Sequence, residues 1–383
     1  MRESNMLNLV KIMPKDIASY LSSLGCEKGG VRIMQQKAQI EFFFIKDLKT
    51  PAALILKQEA LSLGAEVALP KEAILGIKKV DAILIITRNL LPILIQKCKQ
   101  QPFDLKQLAM QLQRHIHTPI FSAQIMGVIN LTPDSFYLQS RCNTQEAIER
   151  IYQFIDEGAD IIDIGAASSR PGSAWLEEEE ELERVREVFY AIKSENIAAK
   201  VALSVDTYSP KVAELALESG FSILNDITAL RHSRMVQIAV ATQCKVILMH
   251  MQNNPKNMQD CPHYDNVLEE VDAFFADKIQ SLNAEGITNL ILDVGIGFGK
   301  SYEHNFSLIA HLSNFQAYRL PLLVGASRKS MIGAVYPSEP EERLPGSLIL
   351  HAEALEHGAS IIRCHDVKEH KQMLAIKQAL RRV

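Results

Sequence analysis

From about residue 122 onward the chain repeats one rhythm: a short apolar run, then a longer amphipathic segment. The runs fall at 125–130, 160–164, 201–205, 222–225, 245–249, 290–293, 321–325 and 360–363, and their length and β-branched content suit buried strands. Helical spacing of apolar residues follows at Thr144–Glu157, Glu177–Ile192, Pro210–Glu218, His232–Thr242, Val267–Ala284, Glu303–Leu312, the region Lys329–His357, and Val367–Leu380. Strand then helix, repeated, calls for parallel strands joined by crossovers. Eight such units over residues 122–383 match a (β/α)8 TIM barrel. A doubly wound open sheet satisfies the same local pattern, because closure is not a local property. Gly158, Gly220, Gly286 and Gly358 stand between helix and strand, where left-handed C-caps are wanted. The acidic run Glu177–Glu181 reads as a solvated helix start favoured by the dipole.

Chain direction decides which loops share a face. Each loop that leaves a strand lies at the C-terminal mouth of a barrel, where barrel enzymes carry their chemistry. At those positions the chain presents Asn130, Ser168-Ser169-Arg170, Asp206, Asn225-Asp226, Met249-His250, Asp293, Ser327-Arg328-Lys329 and Arg363-Cys364-His365. Residues two apart on extended backbone point the same way, so Ser327 with Lys329, and Arg363 with His365, face one site. Taken singly, each has an ordinary structural reading, Asp206 as a helix cap or Asn225 as a turn residue. Recurrence after strand upon strand is not explained that way, and the set reads as one convergent polar ring.

Residues 1–118 follow a different plan. Gln39–Ile45 and Val80–Thr87 read as strands, Pro51–Leu63 as a helix ended by Gly64, and Asp104–His115 as a helix that Asp104 caps. This α/β extension shows no titratable cluster and no glycine-rich phosphate loop. It is expected to serve as a scaffold or oligomerisation domain, with His115 and His117 on a surface linker. The formal charge of −4, with basic residues dispersed, gives no footprint for nucleic acid or an anionic membrane and points to small-molecule partners. Six cysteines stand far apart without a C-x-x-C pair, as reduced cytoplasmic thiols do. The opening Met1–Asn5 lacks signal-peptide character. The most apolar stretch, Ala82–Ile95, is interrupted by Arg88, Asn89 and Pro92 and is shorter than the roughly 20 residues of a spanning helix. A soluble, cytoplasmic protein is expected.

The run 124–136, Gln-Ile-Met-Gly-Val-Ile-Asn-Leu-Thr-Pro-Asp-Ser-Phe, is a strand that delivers Asn130 to a proline-broken loop. Downstream come Asp163-Ile-Gly165, Ser168-Ser-Arg-Pro-Gly172, Ser204-Val-Asp-Thr207, Asn225-Asp-Ile227, Leu248-Met-His-Met-Gln252, Leu292-Asp-Val-Gly-Ile-Gly-Phe-Gly-Lys300, Gly325-Ala-Ser-Arg-Lys-Ser330 and Arg363-Cys-His-Asp366. In this order and spacing the set closely resembles the signatures of dihydropteroate synthases, over almost all of residues 122–383. The resemblance implies condensation of p-aminobenzoate with 6-hydroxymethyl-7,8-dihydropterin diphosphate, giving 7,8-dihydropteroate for folate synthesis. It implies that Asp206, Asn225 and Asp293 meet the amino and lactam edge of the pterin, Lys329 the opposite edge, and Met249 and Phe298 its faces. Elementary chemistry agrees, because a buried carboxylate facing ring N–H groups is compensated.

By the same resemblance Arg363 and His365 bind the diphosphate, and Ser327 points into the site. Asn130 ligates a Mg2+ ion whose other ligands are phosphate oxygens and water. Ser330 seats the p-aminobenzoate carboxylate at a helix start. Phe136 and Arg170-Pro171 help enclose it from lid loops 131–143 and 166–176, and Ser169 is a further substrate contact. Lys329, Arg363, His365 and Asp206 are expected to carry catalysis, by positioning and by stabilising charge on the leaving group. A homodimer is implied as well. Two loop segments depart from the family pattern. Where most members continue Ser-Asp-Gly-Gly, this chain has Tyr137-Leu-Gln-Ser140, without an aspartate implicated in the metal-bound closed state. Gly-Glu-Ser-Thr-Arg-Pro-Gly becomes Ala166-Ala-Ser-Ser-Arg-Pro-Gly172, which bears on lid closure and metal affinity. The alternatives are a pterin-binding methyltransferase, with no diphosphate to expel, and a catalytically silent pterin-binding paralogue. Gly295–Ser301 ends like a phosphate loop but has Val294 where the first glycine belongs, and His250 and His263 read as packing or loop contacts.

Overall fold

The computed structural model describes residues 9, 11–12, 17–76, 78–116, 119–131, 140–166, 176–253 and 258–380, the side chains of 140–143 apart. The chain divides into two compact units, Met1–Thr118 and Pro119–Val383. In the first, α1 (Ile17–Ser23) and α2 (Lys28–Ala38) precede β1 (Ile40–Lys49), α3 (Thr50–Leu61), β2 (Glu66–Ala68), β3 (Lys79–Thr87), α4 (Leu91–Lys99) and α5 (Leu105–Arg114). The strands form an antiparallel sheet in the order β1-β3-β2. Alternation along β3 sends Ala82, Leu84 and Ile86 into a core with Leu56, Leu94, Ile95 and Leu105.

Two expectations for this unit change, those for Asp104 and His115, while the strand expected at Val80–Thr87 is present. The apolar stretch Ala82–Ile95 is a strand and a helix separated by a turn at Arg88–Leu90, because Asn89 and Pro92 break the pattern. Among the described residues no helix is long and apolar enough to cross a membrane. Asp104 does not cap α5: its φ of 71° is left-handed, away from the extended backbone that aims a capping carboxylate at helix N–H groups, and it pairs with Lys49 at 2.6 Å. His115 is not linker surface alone, since its ring lies edge-on to Phe43 at 5.4 Å; His117 falls outside the described residues.

In the second unit strands and helices alternate: β4 (Gln124–Asn130), α6 (Ser140–Asp156), β5 (Ile161–Gly165), α7 (Glu178–Ser194), β6 (Ala202–Asp206), α8 (Pro210–Glu218), β7 (Ile223–Asp226), α9 (Ser233–Thr242), β8 (Lys245–Met249) and α10 (Val267–Ala284). Then come β9 (Leu290–Asp293), α11 (Tyr302–Ala310), β10 (Leu322–Val324), α12 (Ser330–Val335), α13 (Leu344–Glu356), β11 (Ile361–Cys364) and α14 (Val367–Leu380). The parallel strands close, order β10-β11-β4-β5-β6-β7-β8-β9, because β11 pairs with β4 from Ile361–Gln124 to Cys364–Gly127. That seam excludes the open sheet. Met126, Ile161, Ile223, Ile247, Ile291, Leu323 and Ile361 form a cluster inside the barrel, while Phe154, Phe189, Phe275 and Phe315 belong to the larger core that includes the helices. The region Lys329–His357 divides into α12 and α13, separated by Pro337 and Pro340. The four predicted C-cap glycines all have positive φ. Only part of the acidic helix start is solvated, since Glu181 is fully buried and accepts from Thr207 Oγ1 at 2.7 Å.

Candidate active site

Strand ends bring the charged residues of the ring together. Arg363 on β11 donates from Nε to Asp163 Oδ2 at 2.7 Å and from Nη2 to Asp206 Oδ2 at 2.7 Å. Asn225 Nδ2 donates to the same Asp163 oxygen at 3.1 Å. Asp163 is buried, and its Oδ1 has no hydrogen-bond partner among the described residues. Burial raises Asp206 well above the usual carboxylate range; Arg363 opposes the rise and Asp163 adds to it. Burial disfavours charge on Arg363, but the two carboxylates outweigh that and hold it protonated. Nη1 of Arg363 has no partner among the described residues, which leaves donors for a ligand. Asp163 stood in a recognised motif without being assigned to the site. Its position two residues before the end of β5 was the available signal.

Across the mouth, Asp293 ends β9 and accepts the Gly295 N–H at 2.8 Å, while burial raises its pKa. Lys329 donates to the Ile296 carbonyl and holds its ammonium 4.5 Å from the centre of the Phe298 ring. Burial lowers Lys329 to about 8, against the pull of Asp293. Met249 clusters with Ile227, Met251 and Met258, and Tyr208 and Phe298 pack against them as an apolar wall. The loop that carries Phe298 is fixed from beneath. Lys300 is buried, and its three N–H groups are shared among four acceptors, His250 Nδ1 (2.9 Å), His250 O (3.2 Å), Gly295 O (3.0 Å) and Phe298 O (3.0 Å). Burial and Lys300 depress His250 to about 2, so its neutral Nδ1 serves as an acceptor. Gly295 is required there: its φ is +69° and a Cβ would lie 1.9 Å from the His250 carbonyl oxygen. His250 is thus a buried clamp, as its packing reading implied, whereas His263 lies exposed beside Asp265.

Ser327 and His365 meet on adjacent strand exits, with Ser327 Oγ 3.0 Å from His365 Nδ1. The same hydroxyl accepts the His365 backbone N–H at 3.3 Å, and the tautomer in which it also donates to Nδ1 carries the His365 hydrogen on Nε2. Arg328 turns away from this pair, with φ +55° and a two-pronged bond to Asp366 at 2.9 and 2.7 Å. Ser330 is the exposed first residue of the six-residue α12. Asn130 ends β4 half-buried, paired in register with Gly165. Phe136, Ser169 and Arg170 fall outside the described residues. The described ends of the second lid are both tied down: Arg184 Nη1 donates to Ala166 O at 3.0 Å, and the Leu176 N–H donates to the Tyr208 hydroxyl at 2.9 Å. Sequence reasoning missed Tyr208, Arg184 and Lys300 in these roles.

The ring has complementary parts: buried carboxylates and an amide beside an apolar wall, and a cationic and imidazole edge fit for an anion. Comparisons with known proteins give the family. A family described as pterin binding enzyme matches residues 126–365. A bifunctional dihydropteroate synthase/dihydropteroate reductase of Helicobacter pylori is 42% identical over 372 residues, 97% of this chain and 98% of that protein. The dihydropteroate synthase of Escherichia coli is 44% identical over 258 residues, 67% of this chain and 90% of its own length. Among solved structures, the Yersinia pestis dihydropteroate synthase in a sulfonamide drug complex superposes with a TM-score of 0.64 at 41% identity, covering 68% of this chain and 95% of that one. The Xanthomonas albilineans dihydropteroate synthase in complex with 7,8-dihydropteroate gives 0.61 at 35% identity, covering 68% and 95%.

Proposed function

Given that the chain belongs to the dihydropteroate synthase family of pterin-binding enzymes, we propose that its strand-end ring divides the reaction between a pterin pocket and a diphosphate site. The reaction condenses p-aminobenzoate with 6-hydroxymethyl-7,8-dihydropterin diphosphate to 7,8-dihydropteroate and diphosphate. Asp206, Asn225 and Asp293 take the amino and lactam edge of the pterin, Lys329 the other edge, and Met249 and Phe298 its faces. Arg363, held by Asp163 and Asp206, turns its remaining N–H groups toward the diphosphate, and His365 adds Nε2–H. The bond from the pterin methylene to the diphosphate oxygen breaks with its electron pair leaving on oxygen. The neutral amine of p-aminobenzoate then bonds to the methylene carbon and loses a proton. Charge grows on the departing oxygen, which these donors stabilise. Ser330 seats the p-aminobenzoate carboxylate, with Phe136 and Arg170 enclosing it and Ser169 as a further substrate contact.

Mg2+ fits this donor set. Asn130, half-buried at the end of β4, would supply one amide oxygen, and an ion that takes its other ligands from diphosphate and water would ask little more of the protein. When bound it would offset charge on the departing diphosphate. A homodimer and a cytoplasmic location belong to the same reading on family resemblance. Sulfonamides, as p-aminobenzoate mimics, are expected to compete here. The carrying observation is the Asp163–Arg363–Asp206 bridge with Asn225, a buried arrangement that serves a hydrogen-bonding ring on one side and an anion on the other. The test is diphosphate release by the purified chain with both substrates and Mg2+, with 7,8-dihydropteroate identified by mass. Tight pterin diphosphate binding without product would favour the silent-paralogue reading.

A second activity is suggested for residues 1–118. The Escherichia coli relative covers 67% of this chain, whereas the one covering 97% carries reductase in its name. Reduction of dihydropteroate by this chain would appear as dihydropteroate-dependent oxidation of a reduced nicotinamide dinucleotide, and its absence with a range of reductants would remove the reading.

A further inference from the structure

Two buried histidines outside the proposed substrate contacts connect the strand exits that carry Ser327 and His365. His351 on α13 and His370 on α14 are both fully buried. The Ala326 backbone N–H donates to His351 Nε2 at 2.9 Å. A backbone N–H only donates, so Nε2 bears the lone pair and a neutral His351 carries its proton on Nδ1. That nitrogen lies 2.7 Å from His370 Nε2, which therefore accepts. His370 then carries its own proton on Nδ1, 2.6 Å from the Asp366 carbonyl oxygen. Every ring nitrogen has one role, and the relay runs one way, from Ala326 N–H through both rings to Asp366 C=O.

The two ends of the relay flank the site. Ala326 directly precedes Ser327 after β10, Asp366 directly follows His365 after β11, and these strands are hydrogen-bonded neighbours. A proton added to either ring would set two donors against each other. Burial keeps both neutral, with His370, Lys329 and His365 adding to the effect at His351. At His370, the Asp366 carbonyl and the acidic groups of Asp366 and Glu369 oppose burial without overcoming it. Two buried imidazoles are costly unless fully paired, and here they are. We propose that the His351–His370 relay is a positioning device for the diphosphate site, holding the exits of β10 and β11 at the separation that lets Ser327 orient the His365 ring. It rests on the reading of His365 as a diphosphate ligand, and the test separates the two.

Full-length His351→Leu, His351→Gln and His365→Ala are titrated with inorganic diphosphate plus Mg2+ and, separately, with 6-hydroxymethylpterin, and their steady-state constants are measured. His351→Leu is expected to weaken diphosphate binding and raise KM for the pterin diphosphate by about tenfold to a hundredfold, the scale of a small misplacement of a binding group. Pterin affinity should fall much less than diphosphate affinity, because Asp206, Asn225, Met249 and Asp293 stand on β6–β9 and only Lys329 of the pterin contacts follows β10. His351→Gln, whose amide accepts and donates at a similar spacing, should restore most of the loss. Nitrogen-15 spectra should place the proton of both histidines on Nδ1. If His365→Ala loses diphosphate and His351→Leu does not, the relay is overturned while the site stands. Diphosphate binding undisturbed in His365→Ala overturns the reading beneath it. Equal loss of pterin and diphosphate in His351→Leu, unrescued by Gln, reduces the pair to packing and overturns the proposal.

Discussion

Replacing Arg363 by Met keeps the stem and removes the guanidinium that bridges two carboxylates. Asp163, wholly buried, would keep only the Asn225 amide, and Asp206 would lose its bond at 2.7 Å. Side-chain exposures of 22% for Arg363, 0% for Asp163 and 13% for Asp206 place the group among buried ion pairs. Removing one partner from such a pair costs about 3–5 kcal/mol. With a urea slope of about 3 kcal/mol per M for a unit of this size, the barrel's midpoint falls by about 1–1.7 M. The cost depends on pH in a definite direction. Without Arg363 the buried Asp206 carboxyl binds its proton more tightly when folded than when unfolded, so its contribution is present at low pH and lost as pH rises through the folded pKa. Asp206 already sits high with Arg363 in place, so the variant's deficit should be largest at pH 8 and shrink toward pH 5.5. Urea titrations at both values, read by the single tryptophan, Trp175, measure it. A deficit below about 1 kcal/mol, unchanged between the two pH values, would refute the claim that this arginine compensates buried charge.

Further expectations follow from the same geometry. Lys329 sits at about 8 in the free protein, so kcat/KM should fall as pH rises through that value, and Lys329→Arg should remove the limb from the pH–rate profile; an identical limb in the variant would reassign it. Gly295→Ala should cost about 1–3 kcal/mol from left-handed backbone and more from overlap with the His250 carbonyl, read as a lower urea midpoint and weaker pterin binding. Asn130→Ala should raise the Mg2+ concentration for half-maximal rate by about tenfold or more while 6-hydroxymethylpterin affinity is kept; an unchanged Mg2+ requirement would remove Asn130 as a ligand.

What the sequence disclosed, and what it hid, follow the range of the interactions concerned. The bounds of α8, α10, α14, β8 and β9 were legible because their caps, glycines and apolar periods are local. Closure of the barrel was not, since it depends on β11 meeting β4 across the whole unit. Chain direction sufficed to put Asp206, Asn225, Asp293 and Arg363 at one face. It could not show that Arg363 reaches over β4 to Asp163 and Asp206, a contact spanning 157 positions in the second case. Glu181 looked like its four solvated neighbours, yet one turn into α7 the helix has rotated it inward against Thr207. The clamp at Lys300 was disguised by its resemblance to a phosphate loop. In the first unit α2 carries Gly29-Gly30, poor helix formers, in its first turn, and β2 is only three residues long.

The central claim is that one mouth holds two separable subsites, a pterin pocket around Asn225 and an anion site around His365. Calorimetric titration of the full chain, Asn225→Ala and His365→Ala with 6-hydroxymethylpterin and, separately, with inorganic diphosphate plus Mg2+ tests it most directly. The account predicts that Asn225→Ala loses pterin affinity by about tenfold or more and keeps diphosphate, whereas His365→Ala does the reverse. Loss of both ligands in equal measure by either variant, or the opposite pairing of residue and ligand, would contradict it.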